Sequence, residues 1–310
     1  MILLDKEAWN MTEKPYPIEQ LQPAAFDEWV DFCGRNFTVG PAYFRRHFES
    51  DPHRDITSIF VIRDKGILVS SVRVFHRQAW LGNRMVKLGG IGEVSTDPAY
   101  RGQGLSKQLL EHAVAYMKSR DFDLSLLGTG YFSHYARHGY RQVKAYRKVV
   151  PAGTIGIPEV SFRALGEEDF PAMSALYDHY ASQYSLSMVR SMDYWRSWCK
   201  GEIGHPKGLF RNGRLIGYIC EDKGYVQEII GEPEDHDCLL SVVKGAQGVL
   251  NVPGITQTAR PVLETSTNEC NMILLLRALM VGEQTFASTE KLTAYLNEHG
   301  GITHWAQDSF

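Results

Sequence analysis

Apolar and polar residues alternate over several short stretches of this chain, and between them apolar residues recur every three or four positions. The alternating stretches predict strands at Tyr16–Leu21, Ile56–Arg63, Gly66–Leu81 and Met85–Thr96. Asp64-Lys65-Gly66 supplies a hairpin turn, and Asn83 interrupts the chain before the fourth strand. The helical spacing predicts helices at Pro23–Phe37, with Phe26, Trp29, Val30 and Cys33 on one face, and at Ala42–Glu49. Asp97-Pro98 ends a strand. Leu105, Leu109, Ala113 and Met117 then mark the inner face of a third helix. A short buried strand at Phe122–Leu127, a helix carrying Tyr135 and a strand at Arg141–Val150 complete the series.

Pro151–Pro158 is rich in Gly and Pro and reads as a linker, after which the pattern begins again. Val160–Leu165 and a helix opening at Asp169-Phe170 repeat the start of the chain, and Leu165 precedes Phe170 by the same interval as Leu21 precedes Phe26. Gly208–Asp222, with Asn212-Gly213 as its turn, echoes the hairpin at Ile59–Val74. A strand at Tyr225–Gly231, a helix at His236–Leu250, a helix at Ser288–His299 and a last strand are expected after it. The reading is therefore an α+β protein with mixed sheets, built as two divergent copies of one fold, residues 1–152 and 153–310.

The most informative segment lies between the fourth strand and the third helix: Arg101-Gly102-Gln103-Gly104-Leu105-Ser106. A glycine-containing turn at a helix start points backbone N–H groups outward at the positive end of the helix dipole, which suits a phosphate. No Gly-Lys-Ser/Thr follows, so it is not a Walker loop, and the third glycine of the dinucleotide fingerprint is missing. The second copy has Gly231-Glu232-Pro233-Glu234-Asp235 at the equivalent place. Carboxylates there would repel a pyrophosphate, so the second copy is expected not to bind one.

Arg-x-x-Gly-x-small after strand-Asp-Pro resembles motif A of the GNAT superfamily of N-acetyltransferases, with Ser106 in place of the usual Gly or Ala. Tyr135-x-x-x-Gly139-Tyr140 resembles a second signature of that superfamily, in the expected order and at the expected interval. An intact first copy and a degenerate second one resemble the tandem "enhanced intracellular survival" (Eis-like) acetyltransferases. Leu88–Val94 before motif A also fits that family. Its larger members add a third domain related to sterol carrier proteins; with only about 30 residues after Leu279, that domain is expected to be absent or vestigial here.

The resemblance implies transfer of an acetyl group from acetyl-CoA to a primary amine. Backbone N–H groups of Arg101, Gly102, Gln103, Gly104, Leu105 and Ser106 would take the pyrophosphate, and the strand edge at Val94, Ser95 and Thr96 would pair with the pantetheine arm. Tyr135 is the expected acid for the departing thiolate; Tyr131, one helical turn earlier, is a weaker candidate. For the base, Glu93 on the motif A strand, the C-terminal carboxylate at Phe310 and water stay open. His112, His134 and His138 are assigned no catalytic role. Transfer to a protein lysine or N-terminus, and a non-catalytic CoA-binding sensor, are the competing functions.

Charge and composition narrow the picture. The net charge is −3, but residues 1–150 hold 21 Lys and Arg against 16 Asp and Glu, whereas residues 151–310 hold 12 against 20. A cationic first half suits a polyanionic cofactor, and an anionic second half suits a cationic acceptor; together with the resemblance to the tandem enzymes, this implies a small molecule of the aminoglycoside or polyamine kind. Cys33, Cys199, Cys220, Cys238 and Cys270 are scattered and odd in number, which argues for free thiols in a reducing, cytoplasmic setting and against a metal site. The start of the chain does not read as a signal peptide. No stretch reaches the roughly 18–20 apolar residues of a membrane span; Met272–Val281, the longest, carries Arg277. With a predicted pI of about 6.4 and no basic stripe, a nucleic-acid partner is not expected. Exposed edges of tandem acetyltransferases often pair, which leaves a homo-oligomer open.

Overall fold

A computed structural model describes residues 16–154, 160–303 and 308. The first copy runs β1 (Ile18–Gln20), α1 (Phe26–Asn36), α2 (Pro41–Glu49), β2 (Ile59–Asp64), β3 (Ile67–Leu81), β4 (Arg84–Thr96), α3 (Leu105–Ser119), β5 (Leu124–Gly128), α4 (Phe132–Ala136) and β6 (Arg141–Pro151). Strand pleating divides β2 between two cores. Phe60 and Ile62 face α3, while Ile59 and Val61 face α1 and α2. Gly89 of β4 lets α3 lie close on the sheet, because a Cβ there would sit 2.1 Å from the Met117 sulfur.

The second copy runs β7 (Val160–Ala164), α5 (Phe170–Ala181), α6 (Met192–Tyr194), a π-helical turn at Trp195–Cys199, α7 (Lys200–Glu202), β8 (Lys207–Arg211), β9 (Arg214–Asp222), β10 (Tyr225–Gly231), α8 (His236–Ser241) and β11 (Val249–Pro253). The repeat reaches local detail: a short 3-10 turn immediately precedes the helix that opens at Phe26, and another precedes the helix that opens at Phe170. β12 (Glu264–Leu275), a hairpin of β13 (Leu279–Val281) and β14 (Gln284–Phe286), and α9 (Thr289–Glu298) follow.

The helix expected at His236–Leu250 stops at Ser241. Val242 and Val243 are β-branched, and Gln247 and Gly248 both take positive φ, so the chain turns and enters β11 instead. In place of a last strand, the described residues give an isolated bridge from Gly301 to Ala145.

Twelve strands form one sheet in the order β1-β2-β3-β4-β5-β12-β6-β11-β10-β9-β8-β7. The arrangement is nearly palindromic: five strands from each copy flank a central pair. That pair is exchanged. β12, late in the chain, lies antiparallel to β5, while β6 of the first copy lies antiparallel to β11 of the second. Divided at residue 152, each half gives one strand to the other's side of the sheet.

Candidate active site

β4 and β5 run parallel, but only Leu88, Gly89 and Gly90 have partners there, in Leu124, Ser125 and Leu126. Beyond that register the strands diverge, leaving a wedge between Ile91–Thr96 and the end of β5. The phosphate-loop candidate stands where β4 leads into α3. Asp97 accepts from the Ala99 N–H at 2.9 Å and closes a turn, and Arg101 Nε donates to the Thr96 carbonyl at 3.2 Å. Gly102 and Gly104 take φ of +80° and +78°, a left-handed backbone that favours glycine, and a Cβ on either would meet only open space. Gly104 caps α3 without any side-chain bond, and among the described residues the N–H groups of Gly102, Gln103 and Gly104 have no partner. These features fit a pyrophosphate. Ser106 Oγ lies 3.0 Å from His134 Nε2, which ties the start of α3 to α4.

Val94 and Tyr135 pack against the same apolar cluster, which holds Leu105 and Leu127, so the loop, the wedge and α4 meet. Burial pushes the Tyr135 hydroxyl up to about 12. Its ring stands edge-on to Tyr140, and among the described residues its hydroxyl has no hydrogen-bond partner. Tyr131, by contrast, is 80% exposed. Ser95 is buried with its hydroxyl unpartnered among the described residues, and its carbonyl accepts from Ser70 Oγ at 2.9 Å. Thr96 Oγ1 lies 2.8 Å from the same Ser70 hydroxyl.

Glu93 occupies a β-bulge, since Ser71 pairs with Ser95 but Arg73 with Gly92. Its φ of +54° is costly for a residue with a side chain. The carboxylate lies on the α2 side of the sheet, away from Tyr135. Oε1 lies 3.0 Å from His47 Nδ1 and 3.5 Å from Arg73 Nη1, while Oε2 is buried without a partner among the described residues. Arg73 also donates to Asp51 at 2.8 Å, as does Arg77 at 3.0 Å. Trp198 of the second copy packs on the His47 ring at 4.5 Å, so both copies enclose this cluster.

A second buried ionic cluster lies in the second copy. Arg190 grips Glu228 with Nη1 at 3.1 Å and Nη2 at 2.6 Å, and Asp308 with Nε at 3.0 Å and Nη2 at 2.8 Å. Tyr218 donates to Glu228 and Tyr194 to Asp308. Phe310 lies outside the described residues, but Asp308 is fully buried and fastens the end of the chain here. Sequence reasoning missed His47, Asp51, Arg73, Arg190 and Asp308, which are far apart along the chain. It could have found Glu228: both Glu93 and Glu228 stand five residues before a proline, Pro98 and Pro233, that opens a 3-10 turn.

At the second copy's equivalent of the phosphate loop, Pro233–Asp235 form that turn and Arg211 pairs with Asp235 at 2.7 Å. The acidic loop is thus partly occupied by the protein's own cation. All five cysteines are free, and no group of three or more metal-ligating side chains occurs among the described residues. No described helix is long and apolar enough to cross a membrane.

Residues 17–143 match the acetyltransferase (GNAT) domain family. Among curated proteins, none matches the chain. Among solved structures, the chain is similar to a GCN5-related N-acetyltransferase from Anabaena variabilis, at 12% identity and a TM-score of 0.70 over 84% of this chain and 73% of that one. A GCN5-related N-acetyltransferase from Kribbella flavida gives 18% identity and a TM-score of 0.68 over 84% and 70%. Eis1 from Mycobacterium abscessus gives 13% and 0.60 over 88% and 83%. At such identities the structural likeness speaks for the fold, and it supports the tandem GNAT-like architecture.

Proposed function

We propose that this chain, a transferase enzyme with a GNAT acetyltransferase domain at residues 17–143, moves an acetyl group from acetyl-CoA to a primary amine and is related to the tandem Eis-like enzymes. The observation that carries the reading is the uncapped start of α3, with two left-handed glycines, at the mouth of the β4–β5 wedge. Bound acetyl-CoA would supply a thioester carbon open to attack.

The roles of this chain's residues follow from their places. N–H groups from Gly102 to Ser106 hold the pyrophosphate at the helix dipole's positive end. The Val94–Thr96 edge of β4, unpaired on the wedge side, offers backbone groups to the pantetheine amides. In the transfer a bond forms between the amine nitrogen and the acetyl carbon, the carbon–sulfur bond breaks, the nitrogen loses a proton and the sulfur gains one. Tyr135, kept protonated by burial, donates to the sulfur as charge develops there. Glu93 Oε2, buried and without a partner among the described residues, is the candidate for the amine's proton, directly or through water, while His47 and Arg73 hold the other oxygen in place.

The test is thermal melting with acetyl-CoA, CoA and NADH, followed by thiol release with an amine panel. Ligand at a hundredfold its Kd adds about 2.7 kcal/mol, so acetyl-CoA and CoA should raise the midpoint by several degrees and NADH should not. Gly104→Glu should abolish that rise. Tyr135→Phe should keep the rise and lower kcat by about 10²-fold. No shift with either CoA form overturns the reading.

A further inference from the structure

A cavity of about 220 Å³ opens beyond the end of β5, where the exchanged strands meet. Leu126 and Gly128 line it from β5, Ala145 and Arg147 from β6, and Tyr225 and Gln227 from β10. Leu126 is also the last residue of β5 paired to β4, where its partner Gly90 stands three residues before Glu93, and it belongs to the core on the side of the sheet away from α3. The cavity therefore adjoins the wedge from the side opposite Tyr135, where an amine could approach a thioester carbon lying in the wedge.

Arg147 is the one charged residue among the described lining residues. Its Nη2 donates to the Val226 and Asn251 carbonyls, both at 2.8 Å, and its Nε donates to the Asn251 side chain. The guanidinium stacks on Tyr225 at 3.9 Å. Nη1 has no partner among the described residues, and no described carboxylate pairs with this half-buried cation. An arginine drawn partly out of water is commonly matched to a carboxylate or phosphate, so an unmatched one lining a cavity marks a place for an anion. Asn268 and Asn271 add amide groups to the wall. The volume falls below the roughly 300–1,000 Å³ of clefts that take drug-sized ligands, which suits a molecule of amino-acid size and not an aminoglycoside.

Resting on the acetyl-transfer reading above, we propose that this cavity holds the acceptor and that the acceptor is a small amine bearing a carboxylate, an amino acid of neutral side chain, whose carboxylate Arg147 Nη1 receives. The cavity's lining thus points away from the polycation that the chain's charge asymmetry favours. The chemistry agrees: a lining without carboxylates does nothing to keep the acceptor's amino group charged, and transfer needs that group neutral.

The test compares each neutral L-amino acid with its decarboxylated amine, L-methionine against 3-(methylthio)propylamine for example, with spermidine as the polycation. Calorimetric binding without acetyl-CoA and thiol release with it are measured on the full chain as wild type, Arg147→Gln and Arg147→Lys. Both variants lose the same ties to Asn251 and Val226, so the pair isolates charge. At least one amino acid should bind tenfold or more tightly than its decarboxylated partner, a preference lost in Arg147→Gln and retained in part in Arg147→Lys. A preference for the decarboxylated amines or spermidine, no binding of any amino acid, or equal behaviour of the two variants overturns the proposal. Binding that depends on Arg147 without thiol release from any amine counts against acetyl transfer and leaves the cavity's assignment standing. Transfer indifferent to Arg147 does the reverse.

Discussion

Glu93 and Glu228 hold the same place in the two copies, five residues before the proline that ends the fourth strand, and both are buried beside an arginine. Around Glu228 the described partners are complete. Both of its oxygens and all three nitrogens of Arg190 are bonded, and Asp308 and Tyr218 close the cluster. Around Glu93 they are not. Oε2, Arg73 Nε and two nitrogens of Arg77 lack partners among the described residues, and the backbone at Glu93 is left-handed. Unsatisfied buried polar atoms and strain both cost stability, and they persist where the surroundings enforce them for another purpose. The two copies thus differ: one glutamate is fully paired as a fastening, and the other keeps an oxygen unclaimed among the described residues, as the role proposed for it requires.

The comparison breaks most visibly at Arg190. Replacing it with Met strands Glu228 and Asp308 without a counter-charge, and removing one member of a buried ion pair costs about 3–5 kcal/mol. Denaturant titration of Arg190→Met should show a midpoint far below wild type; an unchanged midpoint would mean the cluster is not a fastening. Glu93→Gln should behave in the opposite way. It keeps the shape, should cost less stability than Arg190→Met, and should lower kcat/KM for amine acetylation by about 10²-fold with acetyl-CoA stabilisation intact. Full turnover in Glu93→Gln would remove the distinction between the two glutamates.

A smaller effect belongs to His236, which opens α8 where the first copy has the phosphate-loop candidate and α3. Burial lowers its pKa, and Nδ1 accepts from the Gln257 N–H at 3.0 Å, so the folded ring is neutral. The unfolded ring binds its proton near pH 6.5 and the folded one only at lower pH. Its contribution is therefore complete above about pH 6.5 and lost as the pH falls toward the folded value. Melting midpoints measured from pH 7.5 down to 5 should fall less steeply in His236→Gln than in wild type. Parallel curves would show that His236 carries none of the acid sensitivity.

What could be read from the sequence was local. Gly102 and Gly104 declare a left-handed loop, the spacing of Leu105, Leu109, Ala113 and Met117 declares a helix, and the paired intervals at Leu21–Phe26 and Leu165–Phe170 declare a repeat. Long-range pairing was hidden. Nothing in Glu264–Leu275 says that it will lie beside β5, because alternation sets which face of a strand is buried and not which neighbour it takes. The contacts of Glu93 were hidden for the same reason, since His47 and Arg73 reach it through the sheet and α2. At His236–Leu250 the helical spacing misled, and the glycines and valines after Ser241 prevailed.

The exchange of β6 and β12 also bears on how the protein is made. The first copy lacks the neighbour of β5 until the chain has been synthesised through Leu275, more than a hundred residues after β6 is complete. A ribosome adding roughly 5–20 residues per second leaves that edge open for on the order of ten seconds. During that interval Leu124–Gly128, an apolar strand with unpaired backbone groups, is available to any other strand in reach. The wedge, whose far side is this same strand, has that wall backed by its neighbour only once β12 has been made.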